Sequence, residues 1–584
     1  MQHELIAQAR AWLSDDPDPD TRQELTDLVE AGAGDELAAR FAGTLQFGTA
    51  GLRAELGAGP MRMNRAVVIR AAAGLAGYLN RQRPARDAQA DGGQPGPGLV
   101  VIGYDARHRS ADFARDTAAV MVGAGLRAVL LPRPLPTPVL AFAIRHLGAV
   151  AGVEVTASHN PPRDNGYKVY LGDGVAGTAS RGGSQIVPPA DAEIAAEIAA
   201  VAGVHAVPRP DAGWEIAGED VVEAYLERAT SVLTEGSPRA VRVVYTPLHG
   251  VGRETLTAAF ARAGFPAPTV VAEQAEPDPD FPTVAFPNPE EPGAMDLAFA
   301  TARAAAADAA PDLVIANDPD ADRCAVAVPA PEEPAGWRML RGDEVGALLA
   351  AHLVRTGRAG QSATDTTFAT TIVSSSLLSR IAATAGVPYA ETLTGFKWLA
   401  RVDGVRYAYE EALGYCVDPA GVRDKDGITA ALLVAELAAG LRAEGRTLVD
   451  LLDELALAHG LHATDQLSVR VEDLSVIAAA MERLRAQPPT DLAGLPVTSA
   501  QDLSQGSEAL PPTDGLRYHL AGGAGSGVES ARVIVRPSGT EPKLKCYLEV
   551  VLPVAAPDAL PGARAHAREV LAAVKRDLAT AAGI

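Results

Sequence analysis

Short apolar runs alternate with helical stretches along most of the chain, and turn-forming residues separate them. Residues 99–103 (Leu-Val-Val-Ile-Gly) predict a buried strand, residues 110–124 a helix and residues 128–131 a second strand. The same rhythm recurs with strands at 241–245, 269–272, 313–317 and 370–373 and helices at 253–263, 343–355 and 375–385. This order is typical of α/β units, in which helices cover a largely parallel sheet.

The two ends of the chain have different patterns. Residues 1–45 predict helices with a polar break at 15–20. The last segment predicts strands at 465–472, 531–536 and 544–552 and helices at 475–485 and 558–580, which together indicate a small α+β domain. Residues 499–530 are rich in Gly and Ser, and we expect them to form a surface insertion.

The length of 584 residues exceeds that of one ordinary core, since a domain averages about 150 residues. We predict four domains, at residues 1–212, 213–336, 337–458 and 459–584. The first three are expected to be α/β domains and the last a smaller α+β domain.

The charge of the chain limits its partners. A formal charge of −22 without a basic run disfavours nucleic acid, whereas a small anionic substrate can still bind in a locally positive pocket. The polar N-terminus and the interrupted apolar stretches predict a cytoplasmic protein without membrane partners. The cysteines Cys324, Cys416 and Cys546 are too few and too scattered for a disulfide framework or a zinc cluster.

Lysine is rare, because only six of the 51 basic residues are lysines. Three of the six, Lys168, Lys397 and Lys543, fall in polar segments punctuated by Gly and Pro. Lysine can serve as a proton donor where arginine cannot. The alternative explanation is that genomic base bias lowers the lysine content and that the position of these three lysines is due to chance.

A serine follows the strand-like run at 149–155, in the sequence Thr-Ala-Ser-His-Asn-Pro at 156–161. Pro161 and Pro162 prevent this loop from forming a helix. Ser158 could carry a phosphoryl group if a neighbouring charge and a proton donor or acceptor assisted it, and His159 and Lys168 are placed to do so. An ordinary polar loop with an Asn-Gly turn is the alternative.

Alternating carboxylates follow the strand at 313–317, in the sequence Asp-Pro-Asp-Ala-Asp-Arg at 318–323. Three hard oxygen ligands suit Mg²⁺ or Ca²⁺ rather than zinc. An EF-hand would need Gly and Glu where Arg323 and Pro329 stand. A solvated acidic turn is the alternative.

Residues 536–543, Arg-Pro-Ser-Gly-Thr-Glu-Pro-Lys, follow another strand and can bind an anion through arginine, hydroxyls and backbone N–H groups. The spacing differs from that of a Walker loop, and a plain turn is the alternative. Three further segments have less specific patterns: 409–415 (Tyr-Glu-Glu-Ala-Leu-Gly-Tyr) could hold sugar hydroxyls, and 47–53 (Phe-Gly-Thr-Ala-Gly-Leu-Arg) and 394–398 (Thr-Gly-Phe-Lys-Trp) could face phosphate. An exposed acidic turn is the alternative for the first, and a plain turn is the alternative for the other two.

Together these segments resemble the α-D-phosphohexomutase superfamily, in the family's order and over nearly the whole chain. The phosphoglucomutase-2/phosphopentomutase branch is the most similar, through residues 47–53, 287–293 (Pro-Asn-Pro-Glu-Glu-Pro-Gly) and 410–415. The resemblance implies four domains around a central active-site cleft. It also implies that Ser158 becomes phosphoserine and that Mg²⁺ binds to Asp318, Asp320, Asp322 and a phosphate oxygen on Ser158.

The remaining roles also come from the resemblance. His159 and Lys168 would serve proton transfer and charge stabilisation, and Arg323 and Arg53 would face the transferring phosphoryl group. The substrate-binding residues would be Glu410, Glu411, Lys397, Arg536, Ser538, Gly539, Thr540 and Lys543.

The implied reaction is the interconversion of α-D-glucose 1-phosphate and glucose 6-phosphate through a bisphosphorylated sugar, with glucose 1,6-bisphosphate as activator. Phosphopentomutase, phosphomannomutase and glucose 1,6-bisphosphate synthase activities are alternatives from the same superfamily, and a catalytically inactive sugar-phosphate sensor is one from another class. Ala412 stands where many hexose-specific members have serine, which favours a branch that also accepts pentose phosphates. The sequence leaves the oligomeric state, monomer or dimer, open.

Overall fold

The computed structural model describes residues 2–47, 51–82, 97–173, 175, 182–305, 310–360, 366–471, 473–507, 510–523, 525–538 and 543–584. The helices among them are α1 Gln2–Asp15, α2 Pro19–Glu30, α3 Gly34–Arg40, α4 Arg65–Gln82, α5 Ser110–Gly123, α6 Thr137–His146, α7 Ala190–Ala200, α8 Asp220–Thr230, α9 Gly252–Arg262, α10 Asp296–Ala304, α11 Gly342–Arg355, α12 Leu377–Ala385, α13 Phe396–Leu399, α14 Gly427–Ala443, α15 Leu448–His459, α16 Leu474–Ala486 and α17 Leu560–Ala582.

The strands among the same residues are β1 Leu52–Glu55, β2 Leu99–Tyr104, β3 Arg127–Leu130, β4 Ala151–Val155, β5 Asp164–Leu171, β6 Ser184–Gln185, β7 Glu215–Ile216, β8 Val243–Thr246, β9 Thr269–Val270, β10 Leu313–Ala316, β11 Ala325–Pro329, β12 Trp337–Met339, β13 Thr367–Thr371, β14 Tyr389–Thr392, β15 Val405–Glu410, β16 Gly414–Cys416, β17 Leu461–Arg470, β18 Asp491–Leu492, β19 Leu495–Asp502, β20 Leu516–Ala521, β21 Ser530–Pro537 and β22 Lys543–Leu552. In this part of the chain, no helix is long and apolar enough to cross a membrane.

The chain divides into two compact units. The first unit comprises Met1–Leu340 and Gly414–Glu436, and the second comprises Arg341–Leu413 and Leu437–Ile584. The four domain boundaries predicted from the sequence stay a prediction.

The first unit contains two sheets with parallel cores. One has the strand order β1-β5-β4-β2-β3-β7, with β6 beside β5, and the other has the order β12-β11-β10-β8-β9. Strands β4, β2, β3 and β7 pair in parallel, as do β10, β8 and β9. Strands β4 and β10 are buried along their whole length, as expected for apolar runs covered on both faces. The α/β prediction is therefore confirmed here.

The second unit combines one parallel and one antiparallel sheet. Strands β14, β13 and β15 are adjacent and parallel. The last part of the chain forms an antiparallel sheet in the order β17-β22-β21-β20-β19-β18. Helices α16 and α17 contribute Leu484 and Leu578 to the core below this sheet. This arrangement confirms the predicted C-terminal α+β domain.

One prediction for this region was wrong. The described part of residues 499–530 does not form a surface insertion, because it contains the end of β19 and all of β20, and β20 pairs with both β19 and β21. Along β20, Leu516, Tyr518 and Leu520 are buried and alternate with partly exposed residues. That two-residue period is the pattern of a sheet strand, and the Gly- and Ser-rich flanks obscured it in the sequence.

Candidate active site

Strand β4 leads into the loop that carries Ser158. This residue is 3% exposed, and its backbone φ is 52°, a value that residues other than glycine rarely adopt. Its backbone N–H donates to Thr156 Oγ1 over 2.8 Å, which supports the tight turn. The Ser158 hydroxyl donates to Asp318 Oδ2 over 2.7 Å and lies 3.1 Å from His159 Nδ1. The loop therefore presents the hydroxyl between a carboxylate and an imidazole.

Arg107, which sequence reasoning missed, fixes the shape of this loop. Its guanidinium donates to the carbonyls of Ser158 at 2.8 Å, Asn160 at 2.6 Å, Pro161 at 2.8 Å and Asp164 at 3.1 Å. The guanidinium also lies over the Phe281 ring, 4.8 Å from its centroid. Arg107 follows β2, which pairs in parallel with β4, so both loops leave the same edge of the sheet. The signal in the sequence was that Arg107 closely follows a predicted strand, as Ser158 does.

Replacing Arg107 by methionine should lower kcat by about a hundredfold, because a displacement of roughly 1 Å in a reacting group can cost that much. KM should change much less, since Arg107 is bound to loop carbonyls. Steady-state kinetics with a sugar phosphate measures both constants. Arg115→Met is the control, since Arg115 is on α5 and 66% of its side chain is exposed. A kcat near that of the wild type in the folded Arg107 variant would contradict this role.

Three buried carboxylates follow β10. Asp318, Asp320 and Asp322 are all fully buried, and each offers an oxygen within 4.8 Å of the others. Thr137 donates to Asp320 Oδ2 over 2.7 Å, and the backbone N–H of Arg323 donates to Asp318 Oδ1 over 3.0 Å. These contacts hold the acidic loop in one conformation.

The carboxylates fit a hard divalent cation. Asp320 Oδ1 and Asp322 Oδ1 are buried and accept no hydrogen bond within the described part of the chain. Burial raises the pKa of Asp318 well above its ordinary value, and the charges of Asp320 and Asp322 raise it further. An unpaired buried carboxylate oxygen is costly, and a cation with oxygen ligands, such as Mg²⁺, would remove that cost.

Two lysines lie against the same carboxylates. Lys168 Nζ, on β5, is 2.7 Å from Asp320 Oδ2 and 3.0 Å from Asp322 Oδ2. Burial lowers the pKa of Lys168, but the two carboxylates outweigh it and raise the pKa above its ordinary value. Lys425 Nζ, which sequence reasoning missed, is 3.2 Å from Asp322 Oδ2 and 3.1 Å from Asp424 Oδ1. Its signal was the Asp-Lys-Asp run at 424–426.

The predicted arginines and the histidine complete this site. Arg53, on β1, donates to Asn160 Oδ1 over 2.8 Å, and Arg323 Nε lies 3.9 Å from carboxylate oxygens of Asp318 and Asp322. Burial lowers the pKa of His159 well below its ordinary value, and the charges of Arg323 and Arg53 lower it further. A neutral imidazole beside a hydroxyl can accept its proton. All the predicted catalytic and metal-binding side chains thus belong to the first unit.

The predicted substrate-binding residues lie in the second unit. Glu410 ends β15, and Glu411 Oε2 accepts from Ser374 Oγ over 3.2 Å and from Thr371 Oγ1 over 3.3 Å. Lys397 is buried, with Nζ 5.4 Å from the centroid of the Trp398 ring.

The predicted phosphate-binding segment joins β21 to β22. Arg536 lies in β21 opposite Lys545, and the Ser538 N–H donates to the Lys543 carbonyl over 2.8 Å. Gly539 and Thr540 lie outside the described residues, as do Gly48, Thr49 and Ala50 of the segment before Arg53.

A buried ion pair supports this part of the second unit. Glu549, on β22, lies 3.2 Å from Arg532, on β21. Burial alone would raise the pKa of Glu549, but Arg532 and the hydrogen bonds from His462 and Ser375 lower it to about 2. The ionised carboxylate therefore stabilises the folded state.

We expect Glu549→Gln to lower the free energy of unfolding at neutral pH by roughly 3 kcal/mol, because each pKa unit corresponds to about 1.4 kcal/mol. Since the folded pKa is below the ordinary 4.5, this contribution is present above pH 4.5 and is lost as the pH falls through about 2. Denaturant unfolding of both proteins across this range measures the difference. Glu529→Gln is the control, since its pair with Arg380 is exposed. A difference in unfolding free energy that does not change with pH would contradict the stabilising role of the Glu549 charge.

Comparison with known proteins identifies the chain. Its residues 44–201, 223–331, 341–458 and 468–561 match, in order, the α/β/α domains I, II and III and the C-terminal domain of phosphoglucomutase/phosphomannomutase. The chain belongs to the phosphoglucomutase/phosphomannomutase family, and it is therefore a phosphosugar mutase, an enzyme of the isomerase class.

Individual relatives support this assignment. The chain is 46% identical to a probable phosphomannomutase of Haemophilus influenzae, over 84% of this chain and 93% of that protein. It is 34% identical to the phosphopentomutase of Mus musculus, over 95% and 91% of the two chains. The crystal structure of a phosphoglucomutase/phosphomannomutase family protein from Burkholderia thailandensis has the same fold, with a TM-score of 0.64 at 18% identity over 92% and 97% of the chains.

Proposed function

We propose that this mutase interconverts α-D-glucose 1-phosphate and glucose 6-phosphate through a phosphoserine at Ser158, with Mg²⁺ at the Asp318–Asp320–Asp322 site. The observation that carries the proposal is the buried Ser158 hydroxyl, 2.7 Å from one of three clustered carboxylates. A hydroxyl so close to an oxygen-rich cation site is suited to phosphoryl transfer, in which positioning and charge neutralisation dominate.

The proposed reaction consists of two transfers. In the first, the bond between phosphorus and Ser158 Oγ breaks as a sugar hydroxyl oxygen bonds to phosphorus, which gives a sugar bisphosphate. In the second, the bond between the other phosphorus and its sugar oxygen breaks as Ser158 Oγ bonds to that phosphorus. The sugar oxygen takes up a proton, and the isomeric monophosphate leaves. Glucose 1,6-bisphosphate would activate the enzyme by phosphorylating Ser158.

The first-unit side chains have separate roles in this scheme. The hydroxyl proton of the attacking sugar would pass to the neutral imidazole of His159, beside the serine. Lys168, which the neighbouring carboxylates keep protonated, would stabilise charge and donate a proton to the departing sugar oxygen. Arg53 and Arg323 would neutralise charge on the transferring group. Mg²⁺, when bound, would polarise a phosphoryl oxygen.

The second-unit side chains would recognise the substrate. Glu410 and Glu411 would accept hydrogen bonds from sugar hydroxyls. Lys397, Arg536 and the segment from Ser538 to Lys543, with Gly539 and Thr540, would hold the phosphate that does not react.

Ribose and mannose phosphates are the second candidates for substrate. The names of the Mus musculus and Haemophilus influenzae relatives, a phosphopentomutase and a phosphomannomutase, favour them, and Ala412 offers no hydroxyl to a hexose. We expect a cytoplasmic enzyme in each case.

A comparison of substrates tests the proposal. The purified protein would be supplied with Mg²⁺, a trace of glucose 1,6-bisphosphate and one of glucose 1-phosphate, mannose 1-phosphate or ribose 1-phosphate. The highest kcat/KM with glucose 1-phosphate would support the proposal, and a higher value with either other sugar would replace glucose as the substrate. Formation of glucose 1,6-bisphosphate from an acyl phosphate and glucose 1-phosphate, without isomerisation, would identify a bisphosphate synthase instead.

A further inference from the structure

A cluster of buried and partly buried polar groups joins two sequence segments within the second unit. The Glu549 cluster consists of Ser374, Ser375, Ser376 and Glu391 from the segment before residue 459, and of His462, Arg532 and Glu549 from the segment after it. Each segment supplies part of the proposed substrate recognition: Glu410 and Glu411 come from the first, and Arg536 and Lys543 from the second.

Glu549 is the centre of the cluster. It is 4% exposed, and its Oε1 accepts from Ser375 Oγ over 2.6 Å and from the Ser376 N–H over 2.8 Å. Its Oε2 lies 3.2 Å from the Arg532 guanidinium. One carboxylate of the antiparallel sheet therefore binds the loop that follows β13.

Arg532 bonds to the same region in a second way. Its guanidinium lies 3.1 Å from Glu391 Oε1, on β14, and it donates to the carbonyl of Ser374. Glu391 also accepts from Arg517 over 2.8 Å. A planar guanidinium bonded to several acceptors at once has little freedom of position.

The cluster connects directly to the proposed sugar-binding loop. Ser374 Oγ donates to Glu411 Oε2 and accepts from the Glu411 N–H, both over 3.2 Å. The Ser375 N–H donates to Asp343 Oδ1 over 2.7 Å, and the same oxygen accepts from the Tyr409 hydroxyl over 3.1 Å. Both neighbours of Glu410 are thus bonded to groups that the cluster holds.

The cluster is also connected to the proposed phosphate-binding segment, through strands β21 and β22. Arg532 and Glu549 are directly opposite each other on β21 and β22, and Arg536 faces Lys545 further along the same pair of strands. Arg536 is thus four residues from Arg532 in one continuous strand. A paired strand is rigid over this distance, so a displacement of Arg532 would displace Arg536.

We propose that Arg532 and Glu549 are positioning residues that fix the spacing between the sugar-binding loop at Glu410–Glu411 and the proposed phosphate-binding residue Arg536 on β21. The inference rests on the proposed function of these residues. Hexose and pentose phosphates differ in length by one carbon, so a fixed spacing would select between them. The cluster would therefore determine sugar specificity without contacting the sugar.

The test uses Arg532→Met, Glu391→Gln and a matched control. Arg380→Met is the control, because the Arg380–Glu529 pair joins the same two segments at 2.7 Å but its side chains are 48% and 44% exposed. Three quantities would be measured for each full-length variant: kcat/KM for glucose 1-phosphate and ribose 1-phosphate, the rate at which phosphoenzyme loses phosphate to water, and hydrogen exchange at residues 374–376.

We expect Arg532→Met to lower kcat/KM for the preferred sugar at least tenfold, to reduce the ratio of the two kcat/KM values at least threefold and to accelerate exchange at 374–376. Glu391→Gln, which keeps the Arg532–Glu549 pair, should show the same changes in a weaker form, and Arg380→Met should show none. The hydrolysis rate of the phosphoenzyme should be unchanged, since Ser158 and its carboxylates lie in the first unit.

An unchanged ratio of the two kcat/KM values in a folded cluster variant would overturn the inference. So would an equally large change of that ratio in the control Arg380→Met. If Arg532→Met does not fold, Glu391→Gln decides the question. If the wild type isomerises no sugar phosphate, the proposed function fails, and the specificity role fails with it. Hydrogen exchange at residues 374–376 distinguishes the two failures, because it shows whether a variant loosens the contact between the two segments and does not require turnover.

Discussion

Replacing Ser158 by alanine should lower the rate of sugar-phosphate isomerisation by at least about 10⁴-fold, because the variant lacks the proposed covalent nucleophile and therefore the reaction pathway, not only a contact. The hydroxyl is 3% exposed and already directed at Asp318. No other serine or threonine in the described residues donates to Asp318 Oδ2. Activity is measured by quantifying the product monophosphate.

Ser158→Gly separates the loss of the hydroxyl from backbone strain. Alanine retains the strained φ of 52°, whereas glycine adopts it freely. Both variants should be inactive, and Ser231→Ala, at a serine exposed after α8, should be fully active. Isomerisation by the folded glycine variant at more than about one hundredth of the wild-type rate would contradict the assignment.

Asp318→Asn should have opposite effects on stability without and with Mg²⁺. In a chelator, the variant should be at least as stable as the wild type, because burial and the charges of Asp320 and Asp322 raise the pKa of Asp318 and make its ionisation costly. With Mg²⁺, the wild type should gain stability by mass action, about 2.7 kcal/mol at a hundred times Kd, and the variant should gain little. Thermal unfolding with and without the ion measures both effects.

The same substitution should lower kcat by about a thousandfold, in line with the loss of a group that stabilises developing charge. Asp220→Asn is the control, since Asp220 is exposed at the start of α8. An Mg²⁺-induced shift of equal size in the Asp318 variant would contradict the ion site.

The strands that carry Ser158 and the three aspartates could be predicted from the sequence, because each is a short apolar run followed at once by polar residues. Their proximity could not be derived from the runs themselves, since Ser158 and Asp318 are 160 residues apart and follow strands of two different sheets. The resemblance to a known family supplied that link. Its assignment of metal-binding and catalytic roles stays a prediction.

Arg107, Thr137 and Lys425 were missed, because the sequence signals for two of them were faint and each residue acts through contacts that only the folded chain creates. Arg107 binds carbonyl oxygens, which leave no mark in a sequence. Thr137 is at the start of α6 and reaches Asp320 across 183 residues. Strand β20 was missed for a different reason, since its alternation covers only six residues between glycine-rich flanks.

The most direct test of the proposed phosphoserine is the mass of the protein itself. The protein would be incubated with Mg²⁺ and glucose 1,6-bisphosphate, freed of small molecules, digested and analysed by mass spectrometry. One phosphoryl group on the peptide that contains Ser158, and its loss when glucose 1-phosphate is added, is the predicted result. A peptide that stays unmodified while the protein isomerises the sugar, or a phosphoryl group on another residue that the sugar removes, would contradict the central claim.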